Sequence, residues 1–145
     1  MKKKYKLADE TIKVGDKTLH RIEALKDFSN VRKGDKGGYV ENESNLSQYG
    51  DCWVYGNAMV YGNAKVCTNV LVCGNAKVYD NAILLNDAVI CDNAVVCGEA
   101  MVCDSAKVCT NAIVNGIAVV YGNAVARGNA LVCGEARVCG NREVC

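Results

Sequence analysis

The chain has 145 residues, a formal net charge of +1, half of its residues hydrophobic and no proline. That is the length of one domain, with too much apolar content for a disordered tail and no run approaching the roughly 18 apolar residues of a membrane helix. The basic start, Met1-Lys2-Lys3-Lys4-Tyr5-Lys6, is not followed by the apolar stretch of a signal peptide, so the expected location is cytoplasmic, with no membrane partner.

The charge is uneven. Residues 1–36 hold 11 Lys/Arg against 6 Asp/Glu, and residues 37–145 hold 6 against 10. A basic head on a mildly acidic body could steer an acidic partner, but it also reads as a solvated, lysine-rich cap. Nucleic acid is not an expected partner, because no stripe of aromatic and basic residues is present.

Residues 1–38 read as a small β cap. Lys4-Tyr5-Lys6-Leu7 and Thr11-Ile12-Lys13-Val14 alternate like strands, Gly15-Asp16-Lys17 is a turn, and Thr18-Leu19-His20-Arg21-Ile22 alternates again. That pattern is an antiparallel hairpin or meander. Asp27 to Lys33 reads as a short turn or half-helix. Lys36-Gly37-Gly38-Tyr39-Val40 then leads into the rest of the chain, and counting back in sixes places Val40, Leu46 and Cys52 in one column of small residues.

From Val54 to Cys145 the chain repeats every six residues, as in Val54-Tyr55-Gly56-Asn57-Ala58-Met59 and Val60-Tyr61-Gly62-Asn63-Ala64-Lys65. A helix needs a period of 3.6, and a strand alone needs 2; six holds a short strand and a corner. A three-residue strand such as Met59-Val60-Tyr61 points its middle side chain inward and its flanks outward. Gly-Asn makes the corner, because Gly and then Asn best tolerate positive φ. The Ala after it fits a narrow interior where corners converge. Three strands per coil give 18 residues per turn, so residues 39–145 form an all-β, single-chain parallel β-solenoid, triangular in section, a rod of about 28 Å at about 4.8 Å per coil. No coil is stable alone; the stack is. The cap would then cover the rod's first strand edges. At the other end Arg142, in the small column, with Glu143, would blunt the last edge, or two rods would abut.

Stacking at 18 makes two further expectations. Asn57, Asn75, Asn93, Asn111 and Asn129 should form a ladder along one corner, hydrogen-bonded along the axis. Ile117 stands where Asn is expected, and a β-branched residue tolerates positive φ badly, so the turn Asn115-Gly116-Ile117 should be locally altered.

One outward face would present Met59, Lys77, Val95, Ile113 and Leu131 beside Tyr61, Tyr79, Cys97, Asn115 and Cys133. A solvated strand face is normally more polar, and an apolar patch of this kind marks a contact surface. The candidate contact residues are Met59, Tyr61, Tyr79, Val95, Cys97, Ile113, Leu131 and Cys133. The alternative is that these side chains simply reinforce the sheet between coils. The face with Lys65, Ile83, Met101, Val119 and Arg137 is similar, with a charge at each end.

Nine of the ten cysteines, all but Cys52, fall at the outward position after the Val column. Cys73, Cys91 and Cys109 stack with parallel Cβ bonds about 4.8 Å apart, against the roughly 3.8 Å that a disulfide prefers. Free thiols are therefore expected. A structural zinc site needs four convergent ligands, and a flat strand face does not supply them, so no metal site and no cofactor are expected.

The segments Asp27-Phe28-Ser29-Asn30-Val31, Gly37-Gly38-Tyr39-Val40 and Asn45-Leu46-Ser47-Gln48-Tyr49-Gly50-Asp51-Cys52-Trp53-Val54 resemble the lead-in of the bacterial YdcK-like β-solenoid proteins, which carry an acetyltransferase label and have similar chains in phages and prophages. The hexad is similar to the left-handed β-helix repeat of hexapeptide acyltransferases, and the resemblance implies left-handed coiling. Those enzymes are similar to one another in using a catalytic histidine, a projecting loop and often a C-terminal helix. Here the only histidine is His20, in the head, the hexads are uninterrupted, and the chain stops at Val144-Cys145, so no catalytic residue is transferred. The expected function is a non-enzymatic scaffold or binding protein that self-associates as a dimer or trimer, phage- or prophage-borne. The alternatives are an acyltransferase using acetyl-coenzyme A between protomers, and an inhibitor that sequesters a host defence protein or its nucleotide signal.

Overall fold

The computed structural model describes residues 3–145; the first two residues of the predicted cap lie outside them. The head is a hairpin of β1 (Tyr5–Val14) and β2 (Lys17–Ala24), joined by a turn at Gly15-Asp16. A register shift between Leu7 and Thr11 interrupts their antiparallel pairing. Between residues 27 and 33 the chain makes a tight turn closed by paired backbone hydrogen bonds between Phe28 and Val31, the turn rather than the half-helix of the two readings. β3 (Lys36–Val40) pairs antiparallel with β2 on one side and, on the other, parallel with the solenoid strand Met59–Val60. The sheet therefore runs unbroken from cap into rod.

A short 3-10 helix (Glu43–Asn45) follows, and then sixteen two-residue strands, β4 (Trp53–Val54) to β19 (Glu143–Val144), one per hexad. Each is a residue shorter than the triplet that alternation suggests. The third residue has begun the corner, although its N–H still reaches the next coil, as Tyr61 N–H does to Val78 O at 3.0 Å. The strands stack in three parallel sheets. One carries Tyr39, Met59, Lys77, Val95, Ile113 and Leu131 in register. The second carries Trp53, Leu71, Val89, Lys107, Val125 and Glu143, and the third Lys65, Ile83, Met101, Val119 and Arg137. The result is a parallel β-solenoid of about six coils, with no α-helix among the described residues.

The inner columns behave as the hexad requires. Val72, Ile90 and Val108 are fully buried and aligned, as are Ala58, Ala76, Ala94 and Ala112. Branched aliphatics fill the sides, and Ala lets three corners meet without overlap.

The first coil departs from the frame. Val40 lies beside Val60 and Leu46 beside Val66, a step of twenty, whereas Val54 lies beside Val72, a step of eighteen. Val40 and Leu46 therefore belong to the aliphatic column and not to the small column; only Cys52 keeps the small position. Two extra residues sit in the corner Ser47-Gln48-Tyr49-Gly50-Asp51, which a plain count of sixes passes over because both columns are apolar. Asn45, fully buried, rebuilds the preceding corner with its side chain. Its Oδ1 accepts the Glu41 and Asn42 N–H groups at 3.1 and 2.8 Å, and its amide donates to Gly62 O and Ala64 O at 3.2 and 2.9 Å.

The corners are turns in which the Ala N–H bonds back to the outward residue, as Ala58 does to Tyr55 O at 3.2 Å. Positive φ falls on the first corner residue alone, the pattern of a type II′ turn. The Asn position has ordinary φ. The turn at Ile117 is thus like its neighbours: Gly116 takes φ 66° and Ala118 N–H reaches Asn115 O at 3.3 Å. The expected alteration does not occur, because the strain was assigned to the wrong corner residue.

The cap seals the first coil with aromatic rings. Trp53, almost fully buried, meets Tyr5 and Phe28 edge-on at 6.1 and 5.2 Å between centroids, a favoured aromatic geometry.

Candidate contact face and thiol ladder

On the sheet of Met59 and Leu131 the predicted contact residues do share one face. Met59, Tyr61, Tyr79, Val95 and Cys97 are half-buried, while Ile113, Leu131 and Cys133 are exposed. Tyr61 and Tyr79 stack flat, with centroids 5.1 Å apart and planes 7° apart. That stacking fits the sheet-reinforcing reading for the upper coils. The Tyr79 hydroxyl's pKa is pushed up to about 12 by its hydrogen bond with Cys97 and then by burial.

The lower coils differ. Among the large hydrophobics that are exposed, Ile113 (37 %), Leu131 (59 %) and Ile117 (51 %) gather at one end of this face and its edge. Ile113 and Leu131 are direct strand neighbours. Ile117 lies three residues past the Ile113–Val114 strand end, at a corner that the reading of the face did not include. Beside it, along that corner, runs an open groove of about 510 Å³ lined by Tyr61, Asn63, Asp80, Glu99 and Ile117.

The corners carry a second pattern that composition alone conceals. Asp80, Asp92 and Asp104 stand at the glycine position with φ of 60, 58 and 58°. Each sends a carboxylate oxygen to the backbone N–H of the equivalent residue one coil later: Gly98 at 3.1 Å, Thr110 at 3.0 Å and Gly122 at 2.9 Å. The bond answers a donor that the coil-to-coil ladder leaves free and offsets some of the left-handed strain. The Asn corner ladder is thinner than its sequence suggests, with a side-chain bond between Asn93 and Asn111 at 3.5 Å.

The ten thiols are free, with Cys52 buried and Cys133, Cys139 and Cys145 exposed. Cys73, Cys91 and Cys109 follow one another down the sheet of Leu71 and Val89. Burial, then the neighbouring Cys73, Asp92 and Cys109, push the Cys91 thiol's pKa up to about 12. A divalent cation would reverse that preference. The sulfurs of Cys91 and Cys109 and a carboxylate oxygen of Asp92 all lie within 4.8 Å of one another. Sequence reasoning weighed only the thiols of one column. The signal that it passed over was an Asp at the corner directly after a Cys, with another Cys 18 residues downstream.

Within the cap, Lys4 is nearly fully buried. Its ammonium donates to Cys52 O at 2.7 Å and Gly50 O at 3.2 Å, lies 3.4 Å from Cys52 Sγ, and sits 5.0 Å above the Phe28 ring. Burial lowers its pKa. His20 is a half-buried strand residue paired with Thr11 and Val40.

No helix of the described residues is long and apolar enough to cross a membrane. No curated protein matches the chain. A family model described as the YdcK β-solenoid repeat matches residues 54–68, the first hexads after the cap, and the coil geometry above makes the chain a β-solenoid that is similar to that repeat over those residues.

Proposed function

We propose that the protein is a non-enzymatic scaffold that self-associates, as a dimer or trimer, through the face of Met59, Val95, Ile113 and Leu131. The observation that supports this reading is the exposure of the strand neighbours Ile113 and Leu131 at one end of a flat sheet, with exposed Ile117 at the adjoining corner. Scattered single hydrophobics are ordinary on a protein surface, but a contiguous patch marks a contact. Lys77 is the face's one charge, and it lies in the upper half, away from the patch. Two such faces can meet in isologous fashion, which closes the assembly without leaving a free patch.

Light scattering coupled to size exclusion, over a hundredfold concentration range, tests it. A discrete dimer or trimer is expected for the natural sequence and a monomer for Ile113→Lys/Leu131→Lys, whose outward positions leave the core untouched. A monomer at every concentration refutes the reading.

A further inference from the structure

We propose that Cys91, Asp92 and Cys109 form a binding site for a zinc-class divalent cation. Their ligand atoms lie within 4.8 Å of one another. Zinc takes sulfur at about 2.3 Å and carboxylate oxygen at about 2.0–2.2 Å in a tetrahedral array, so two sulfurs on one ion stand about 3.8 Å apart. Side-chain rotation alone closes the remaining gap.

The backbone already holds the three residues in place. Val89 pairs with Lys107 and Ile90 with Val108, which sets Cys91 directly over Cys109. Asp92 is held at its corner, where Oδ2 accepts the Thr110 N–H at 3.0 Å and aims the carboxylate along the axis toward the next coil. A ligating carboxylate oriented by a further hydrogen bond is a regular feature of metal sites. The combination also occurs once. Among the outward cysteines only Cys73/Cys91 and Cys91/Cys109 stand 18 apart, and the first pair has Gly74 at the corner where the second has Asp92. Asp80 follows Tyr79, and Asp104 follows Cys103, whose position one coil later is Tyr121.

Cys73 lies two coils from Cys109, about 10 Å, and cannot share an ion with it. The site therefore offers three protein ligands and leaves a fourth position to solvent or to a ligand from another molecule. Arg127, next down the column, is engaged by Glu143 at 2.6 Å, which occupies the nearest guanidinium. On binding, each thiol gives its proton to solvent as its sulfur takes the metal. The site lies on a different sheet from the proposed contact face and stands or falls independently of it.

Cobalt(II), added alone to the full chain in a thiol-free reductant, is the probe. The expected result is a thiolate-to-cobalt charge-transfer absorption that saturates at one ion per chain, is displaced by zinc, is lost in Cys91→Ser and in Cys109→Ser, and survives replacement of Cys133, Cys139 and Cys145 together by Ser. Asp92→Asn keeps the corner, since Asn86 holds φ 64° at the equivalent position, and should retain the sulfur band with affinity lowered about tenfold. Zinc should raise the thermal midpoint of the natural chain and not that of Cys91→Ser. Absence of the band, its persistence in the Cys91 and Cys109 variants, or a stoichiometry that falls with removal of the exposed thiols would each overturn the proposal.

Discussion

Gln48 grips the start of the chain through Lys4: its Oε1 accepts the Lys4 N–H at 2.7 Å and the Tyr5 N–H at 3.2 Å, while its amide donates to Tyr5 O at 3.3 Å. The enlarged corner of the first coil thus supplies, in Gln48, a bracket that seats β1 on the end of the rod. Gln48→Ala would leave two part-buried donors unanswered, at a cost of about 2–3 kcal/mol. The thermal midpoint should fall by roughly 5–10 °C, read by circular dichroism; an unchanged midpoint would show that the bracket is ornamental.

The glycines of the lead-in are required by contact. A Cβ on Gly38 would stand 2.5 Å from Ala58 O and 2.6 Å from Val54 Cγ1. The carbonyl is held in the sheet, since Ala58 O accepts the Tyr39 N–H at 2.9 Å. Gly38→Ala should therefore destabilise by about 1–3 kcal/mol, visible as a lower urea midpoint with unchanged slope.

The corner assignment separates two neighbouring positions. Gly116→Ala puts a Cβ at φ 66°, with Gly134 N 2.8 Å away, and should cost about 1–2 kcal/mol. Ile117→Asn, at ordinary φ on an exposed corner, should stay within about 0.5 kcal/mol of the natural chain. Equal losses at both positions would contradict the turn geometry.

Core placement is tested by Val96→Asp. Val96 is fully buried between Val78 and Val114, and an isolated carboxylate there has no partner. A loss exceeding about 4 kcal/mol is expected, with collapse of the strand signal in circular dichroism. Retention of that signal would place the column elsewhere.

Alkaline pH should weaken the fold. Tyr5 and Tyr79 have folded-state pKa values above the ordinary 10.0, Tyr5 through burial and then Glu43 and Cys52, and Tyr79 at about 12 through the Cys97 hydrogen bond and then burial. A phenol held neutral contributes stability that is whole below about pH 10 and lost as the pH rises from there toward the folded value, because the unfolded chain releases its proton first. Lys4 acts oppositely: its lowered pKa means that stability is gained as it discharges. The gain from Lys4 therefore comes below its ordinary 10.5, and Lys4→Met should lose a rise in thermal midpoint that the natural chain shows as the pH approaches that value, whereas Tyr79→Phe should fall less steeply than the natural chain above pH 10.

The rod was legible in the residues themselves. A strict six-residue period with an aliphatic and an Ala column leaves one way to bury both, so Val72, Ile90 and Val108 had to align inside. The period also placed Ile113, Leu131, Cys91 and Cys109 on their faces, because stacking at eighteen is arithmetic. What the period could not supply was anything that depends on where the chain leaves it. The two extra residues before Cys52 escaped notice because Val40 and Leu46 suit either apolar column, and only hydrogen bonding to Val60 and Val66 distinguishes them. The choice of which corner residue takes positive φ required backbone torsions; with Asp, Thr and Asn at six of those positions, composition pointed equally to its neighbour. The approach of Asp92 to two thiols likewise depended on a corner side chain turning along the axis, a direction set by the Thr110 N–H of the next coil and by nothing adjacent in sequence.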